Sequence, residues 1–117
     1  MIRRLAVLSD FDGTITTTDI AEMILARFAP PEWERIEMLH RARQIGTREA
    51  MARQFALLSG DRATLLYFVR SEARMDPGVP AFLRLCRARG IEVEIVSEGL
   101  DFYVHELMEM WGLDLPV

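Results

Sequence analysis

The chain has 117 residues and no lysine; all 14 of its basic residues are arginine. No role that needs a lysine amine can be filled by these residues. Cysteine is almost as scarce. Cys86 stands alone, which excludes an intrachain disulfide and a zinc site built of cysteines. It lies among Phe82, Leu83 and Leu85, where a buried structural thiol is expected. The two histidines, His40 and His105, are isolated on helical patterns and are expected at surface or boundary positions. No apolar run approaches the roughly 20 residues that a membrane helix needs. The opening Met1-Ile2-Arg3-Arg4-Leu5-Ala6-Val7-Leu8 is too short for a secretion signal, and Ser9-Asp10 interrupts it. Net charge is −4 with no basic tail, which argues against a nucleic-acid surface. A cytoplasmic protein without membrane or nucleic-acid partners is therefore expected.

What the chain does have is a core. Half of its residues are hydrophobic, enough for one ordinary domain or a piece of a larger one. Leu5 to Leu8 reads as a first strand, apolar throughout, as in a parallel sheet buried on both faces. Asp19 caps a helix to Phe28 with an apolar stripe of Ile20, Met23, Ile24 and Phe28. Pro30-Pro31 opens a second helix, through Trp33, Ile36 and Leu39 to about Gln44. Its Glu32, Glu34, Arg35 and Glu37 read as a solvated face. Thr47 is expected to cap a third helix with Met51, Phe55 and Leu58, and Asp61 a fourth with Leu65, Leu66, Phe68 and Val69. Pro77-Gly78-Val79-Pro80 is a joint. A helix with Phe82, Leu83 and Leu85 follows and stops at Gly90. Ile91 to Val96 is a second strand, opening with alternation. Ser97-Glu98-Gly99 leads to a last helix with Leu100, Val104, Leu107, Met108 and Trp111 on one side. The segment from Leu113 leads towards a third strand. Strands alternating with helices imply an α/β fold with a parallel sheet.

The chemistry gathers where the first strand ends, at Asp10-Phe11-Asp12-Gly13-Thr14. Strand side chains alternate faces, so Asp10 and Asp12 start on one side and can serve one site. Gly13 lets the chain turn away. In open α/β sheets, ligands sit beyond the carboxyl ends of the strands. Ser97, after the second strand, occupies the equivalent end. Two carboxylates there suit Mg²⁺ binding and attack on a phosphoryl group. Asp10 would be the nucleophile and Asp12 the general acid and base. Ser97 would hold a phosphate oxygen.

Asp10-Phe11-Asp12-Gly13-Thr14 resembles motif I of the haloacid dehalogenase-like (HAD) phosphatases, and Val96-Ser97-Glu98-Gly99 resembles motif II. Phe28-Ala29-Pro30-Pro31-Glu32-Trp33-Glu34 and Ser97-Glu98-Gly99-Leu100-Asp101-Phe102-Tyr103 are most similar to the methionine-salvage enol phosphatases, then to the phosphoserine phosphatases. The resemblance implies a HAD-like core from 1–15 and 77–117, with 16–76 inserted as a helical C1-type cap. It implies Asp10 and Asp12 as catalytic residues and metal positions, the latter through its main-chain carbonyl. It implies Ser97, Gly13, Thr14, Glu98 and Gly99 around the phosphate. Asp19 and Glu22 lie where related enzymes place acidic cap residues, although a helix cap explains Asp19 as well.

HAD phosphatases also carry a motif III basic residue, usually lysine, and motif IV acids. Past motif II this chain has only Asp101, Glu106, Glu109 and Asp114 as acids, and none matches motif IV. The chain is therefore expected to be the amino-terminal half of such a phosphatase. Two functions follow as expectations. One is a Mg²⁺-dependent phosphatase of a small phosphorylated metabolite, impaired in this truncated form. The other is a non-catalytic remnant acting as a binding or dimerisation module. The open edge of the first strand points to a homodimer or to a complementing carboxyl-terminal half as partner.

Overall fold

The computed structural model describes residues 4–97 and 101–117, and of residue 101 the backbone only. The order is β1 (Ala6–Ser9), α1 (Ile20–Phe28), α2 (Glu32–Arg41), α3 (Thr47–Phe55), α4 (Arg62–Glu72), α5 (Val79–Ala88), β2 (Glu92–Ile95) and α6 (Asp101–Met110). β1 and β2 pair in parallel, with Val7 opposite Val93 and Ser9 opposite Ile95. Val96 N–H continues the ladder to the Ser9 carbonyl at 2.8 Å. The fold is the α/β architecture that alternating strands and helices imply.

The carboxyl-terminal segment runs along the other edge of β2, where Ile95 N–H donates to the Pro116 carbonyl at 2.8 Å. The segment expected to lead towards a third strand thus reaches the sheet, but 113–117 form no strand among the described residues. Val93 and Ile95 are buried while Glu92 and Glu94 are exposed, as the alternation requires.

β1 departs from expectation. A strand covered on both faces would hide all its side chains, but Leu8 is 70% exposed and Ala6 is exposed. The reason is geometric: among the described residues β1 pairs on one edge only, and the face carrying Ala6 and Leu8 has no layer above it. Phe82 and Leu85 on α5 are likewise exposed, at 42% and 49%, because α5 buries Val79 and Cys86 instead. The buried thiol was expected.

Local signals set most helix ends. Asp19 accepts from Glu22 N–H at 2.9 Å, and Asp61 from Thr64 N–H at 2.8 Å, each satisfying a donor that a helix start leaves orphaned. Gly90 and Gly112 end α5 and α6 at φ values of +65° and +67°. Two ends differ from the sequence reading. α2 stops at Arg41, and Thr47 is the first residue of α3 with Gly46 at the cap position. The Thr47 hydroxyl is engaged elsewhere, 3.1 Å from Nε2 of His40.

Of the five helices between the strands, α1 and α4 join the core directly. Ile20 and Ile24 of α1, Leu65 and Val69 of α4, and Val104, Leu107 and Met108 of α6 share one buried cluster with Phe11, Ile15 and Ile95. At the base, Thr16 and Met75 form an antiparallel bridge, flanked by Thr17 N–H to the Arg74 carbonyl at 2.9 Å and Asp76 N–H to the Ile15 carbonyl at 2.8 Å. Arg70 meets Glu106 at 3.2 Å and Arg62 lies over the Phe102 ring, further ties between α4 and α6.

Candidate active site

The loop after β1 is held by its own hydrogen bonds. The Phe11 carbonyl accepts from the N–H groups of Thr14, Ile15 and Thr16 at 3.2, 2.9 and 3.2 Å. Thr16 is buried, and its hydroxyl oxygen accepts from Gly13 N–H at 2.9 Å. Gly13 adopts φ +76°, and a Cβ added there would meet nothing within 4 Å. Glycine is used for its backbone freedom, not for space. Phe11 is wholly buried beside Trp111, with ring centroids 6.5 Å apart, and anchors the loop between its two acids.

With Phe11 pointing inward, Asp10 and Asp12 point outward and line one cleft of about 190 Å³. Asp10 is exposed, and its Oδ1 accepts from Phe11 N–H at 2.8 Å. Asp12 is half-buried. Its Oδ2 accepts from the Tyr103 hydroxyl at 2.7 Å and from Ala21 N–H at 3.2 Å, while its buried Oδ1 has no hydrogen-bond partner among the described residues. Burial pushes the Asp12 carboxyl up from 3.8 to about 6, with the Asp19 charge adding to the rise and the Tyr103 and Ala21 donors opposing it. An acid in that range can both give and take a proton near neutral pH.

The cleft runs on beneath the helices. Asp19, Glu22, Leu25, Trp33, Glu37 and His40 border it, with Gln54 and Phe55 from α3. Asp19 and Glu22 therefore face the same space as the two loop acids. None of the ion pairs among the described residues involves Asp10, Asp12, Asp19 or Glu22. None of the described residues donates to the Asp12 main-chain carbonyl. Hard oxygen donors that no ion pair among the described residues offsets would suit Mg²⁺, and the Asp10 carboxylate and Asp12 carbonyl are the atoms that could hold it. No cluster of three or more His, Cys, Asp or Glu side chains suited to a metal occurs among the described residues, so water and phosphate oxygens would supply the remaining positions.

Ser97 is half-buried just beyond β2, at the same end of the sheet as Asp10. Thr14 is exposed and borders a separate hollow with Leu8 and Phe82 on the far side of Asp10. Glu98 and Gly99 lie outside the described residues.

Three residues of the cleft region escaped the sequence reading. Tyr103 stands beside the apolar stripe of α6, and nothing local says that its hydroxyl reaches a loop 91 positions earlier. Gln54 is buried among apolar neighbours of α3; a lone amide on such a stripe was its only signal. Glu37, expected in water, is instead held by Gln54 Nε2 at 3.0 Å, and lines the cleft. The solvated face holds for Glu32, Glu34 and Arg35, which are exposed, and departs at Glu37 because α3 packs against α2 on that side.

Comparison with known proteins agrees with this geometry. A 2-hydroxy-3-keto-5-methylthiopentenyl-1-phosphate phosphatase of Brevibacillus brevis is 37% identical over all of this chain and 54% of its own length. The protein of the same name from Geobacillus kaustophilus is 38% identical over 93% of this chain and 50% of its own. This chain thus spans about half the length of these curated relatives. Among solved structures, a HAD family hydrolase of Salmonella enterica serovar Typhi matches with a TM-score of 0.80 at 20% identity, over 96% of this chain and 39% of that one. A phosphoserine phosphatase in a phospho-aspartyl intermediate analogue matches with a TM-score of 0.77 at 21% identity, over 98% and 56%. The model of the haloacid dehalogenase-like hydrolases matches residues 7–115, nearly the whole chain, and the protein belongs to that family.

Proposed function

We propose that this chain carries the nucleophile and the general acid of a Mg²⁺-dependent phosphatase acting on a small phosphorylated metabolite. The carrying observation is the pairing of an exposed Asp10 with a half-buried Asp12, oriented by Tyr103, in one cleft. Asp10 attacks phosphorus and the ester P–O bond breaks. The departing oxygen takes the proton of Asp12. Asp12 then removes a proton from water, which attacks the aspartyl phosphate and releases phosphate and free Asp10. When bound, Mg²⁺ would offset the repulsion between the Asp10 carboxylate and the phosphate. Ser97, with Gly13, Thr14, Glu98 and Gly99, would hold the phosphate oxygens. The curated relatives support a methylthio enol phosphate as the kind of substrate. Turnover by these 117 residues alone is expected to be slow, since no lysine is present to serve as the motif III base.

The test is formation of a beryllofluoride adduct in the presence of Mg²⁺, followed by ¹⁹F NMR. Bound resonances are expected in the wild type and not in Asp10→Asn. Absence of bound resonances in the wild type at high protein concentration would rule the reading out.

The open edge of β1 favours a second reading, an association module. Leu5 and Leu8 are 67% and 70% exposed. Such an edge pairs readily with another copy of itself. The occupant is then a second copy, and Leu8→Glu should shift sedimentation from dimer to monomer. A wild type that stays monomeric at high concentration would refute it.

A further inference from the structure

The cleft lined by Asp10 and Asp12 also holds an ordered carboxylate. Glu37 of α2 is held from three sides: Gln54 Nε2 on its Oε2 at 3.0 Å, and Arg41 Nε and His40 Nδ1 at 3.4 and 3.8 Å from its Oε1. Gln54 is only 3% exposed, and its amide also donates to the Trp33 carbonyl at 3.3 Å. Burying an amide between two helices costs free energy unless its hydrogen bonds are made. An apolar residue would pack α2 on α3 without that cost, so Gln54 is best understood by what it orients. The contacts hold the Glu37 carboxyl below its ordinary range, so it is ionised at neutral pH. Its side chain remains 30% exposed, with acceptor capacity left over.

The rest of the lining has a consistent chemistry. Asp10, Asp12, Asp19, Glu22 and Glu37 supply five acidic side chains, and no arginine among the described residues lines the cleft. Leu25, Trp33, Met51 and Phe55 supply an apolar wall. A phosphate held at Asp10 would put its leaving group in the cleft that Glu37 and these apolar side chains also line. An anionic leaving group would meet a like charge whose neighbour Arg41, 3.4 Å away, is already engaged by Glu37, whereas a hydroxyl would donate to it.

We infer that Glu37, oriented by Gln54, is the specificity-determining residue of the cleft: it accepts a hydroxyl of an uncharged leaving group and rejects leaving groups that carry a carboxylate. This rests on the phosphatase reading and extends it to the leaving group.

The experiment compares two ligands that differ only at the far end. sn-Glycerol 1-phosphate ends in a neutral hydroxymethyl group, and 3-phospho-D-glycerate, of the same configuration at the middle carbon, ends in a carboxylate. Their affinities are measured by titration calorimetry with Mg²⁺ on the 117-residue protein, and on Glu37→Gln and Glu37→Arg. The wild type should favour the glycerol ester by about tenfold or more. Glu37→Gln should narrow that ratio and Glu37→Arg should reverse it, a gain of binding that loss of structure cannot imitate. If Glu37→Arg does not fold, the ratio in Glu37→Gln decides. Equal affinities in the wild type, or a preference unmoved by both substitutions, overturn the inference. So does failure of both ligands to bind while the beryllofluoride adduct forms, which leaves the phosphatase reading standing. Absence of the adduct removes both.

Discussion

Asp12→Asn should make the metal-free protein more stable at neutral pH. The carboxyl of Asp12 is pushed from 3.8 to about 6, because the folded state resists charging a half-buried acid. Below pH 3.8 both folded and unfolded chains hold the proton, and the residue contributes nothing. Between 3.8 and about 6 the unfolded chain ionises first, so stability falls as pH rises. Above about 6 the full penalty is present. At 1.36 kcal/mol per pH unit the shift amounts to about 3 kcal/mol, which solvent on the open side of the carboxyl reduces to about 1–2 kcal/mol. Asparagine keeps the shape. Its amide oxygen can accept from Tyr103 and Ala21, and its NH₂ takes the place of Oδ1, the buried atom that has no partner among the described residues. Urea unfolding in chelator-treated buffer reads the difference between variant and wild type, in which other titrating groups cancel. With a slope of about 1–3 kcal/mol/M, the variant's midpoint at pH 7.5 should rise by about 0.5–1 M, and the gain should vanish near pH 4. A variant less stable than wild type at pH 7.5, or an advantage that does not change with pH, would refute the account of Asp12.

The other expectations concern what positions the site. Tyr103→Phe removes the closer donor to Asp12, and should cost about 1–2 kcal/mol in urea unfolding while pushing the Asp12 carboxyl higher in a ¹³C NMR titration. Phe11→Ala empties a fully buried position and should cost about 3–5 kcal/mol, measured by the same unfolding curves. Gly13→Ala places a side chain at φ +76° without a clash, so a loss of about 1 kcal/mol is expected; a neutral result would show that the loop relaxes. Gln54→Leu should leave the Trp33 carbonyl and Glu37 short of a donor, and amide hydrogen exchange should quicken in α2 and α3 ahead of α6.

Much of this was legible because local rules and tertiary structure agree. The alternation in β2, the caps Asp19 and Asp61, and the stops at Gly90 and Gly112 each depend on a few neighbouring residues. The pairing of Asp10 with Asp12 follows from their spacing alone, since an inward Phe11 between them turns both outward. The exposure of β1 was not legible, since an apolar run says that a strand can be covered, not that a layer exists to cover it. The depth of Asp12, its clasp by Tyr103 and the turning of Glu37 into the cleft arise from packing α6 against the loop and α3 against α2. The sequence by itself thus determined an α/β frame and a pair of acids at the end of its first strand. Only the tertiary structure decided which acid is half-buried and what else lines the cleft, because burial and charge pairing depend on contacts between segments far apart in the chain.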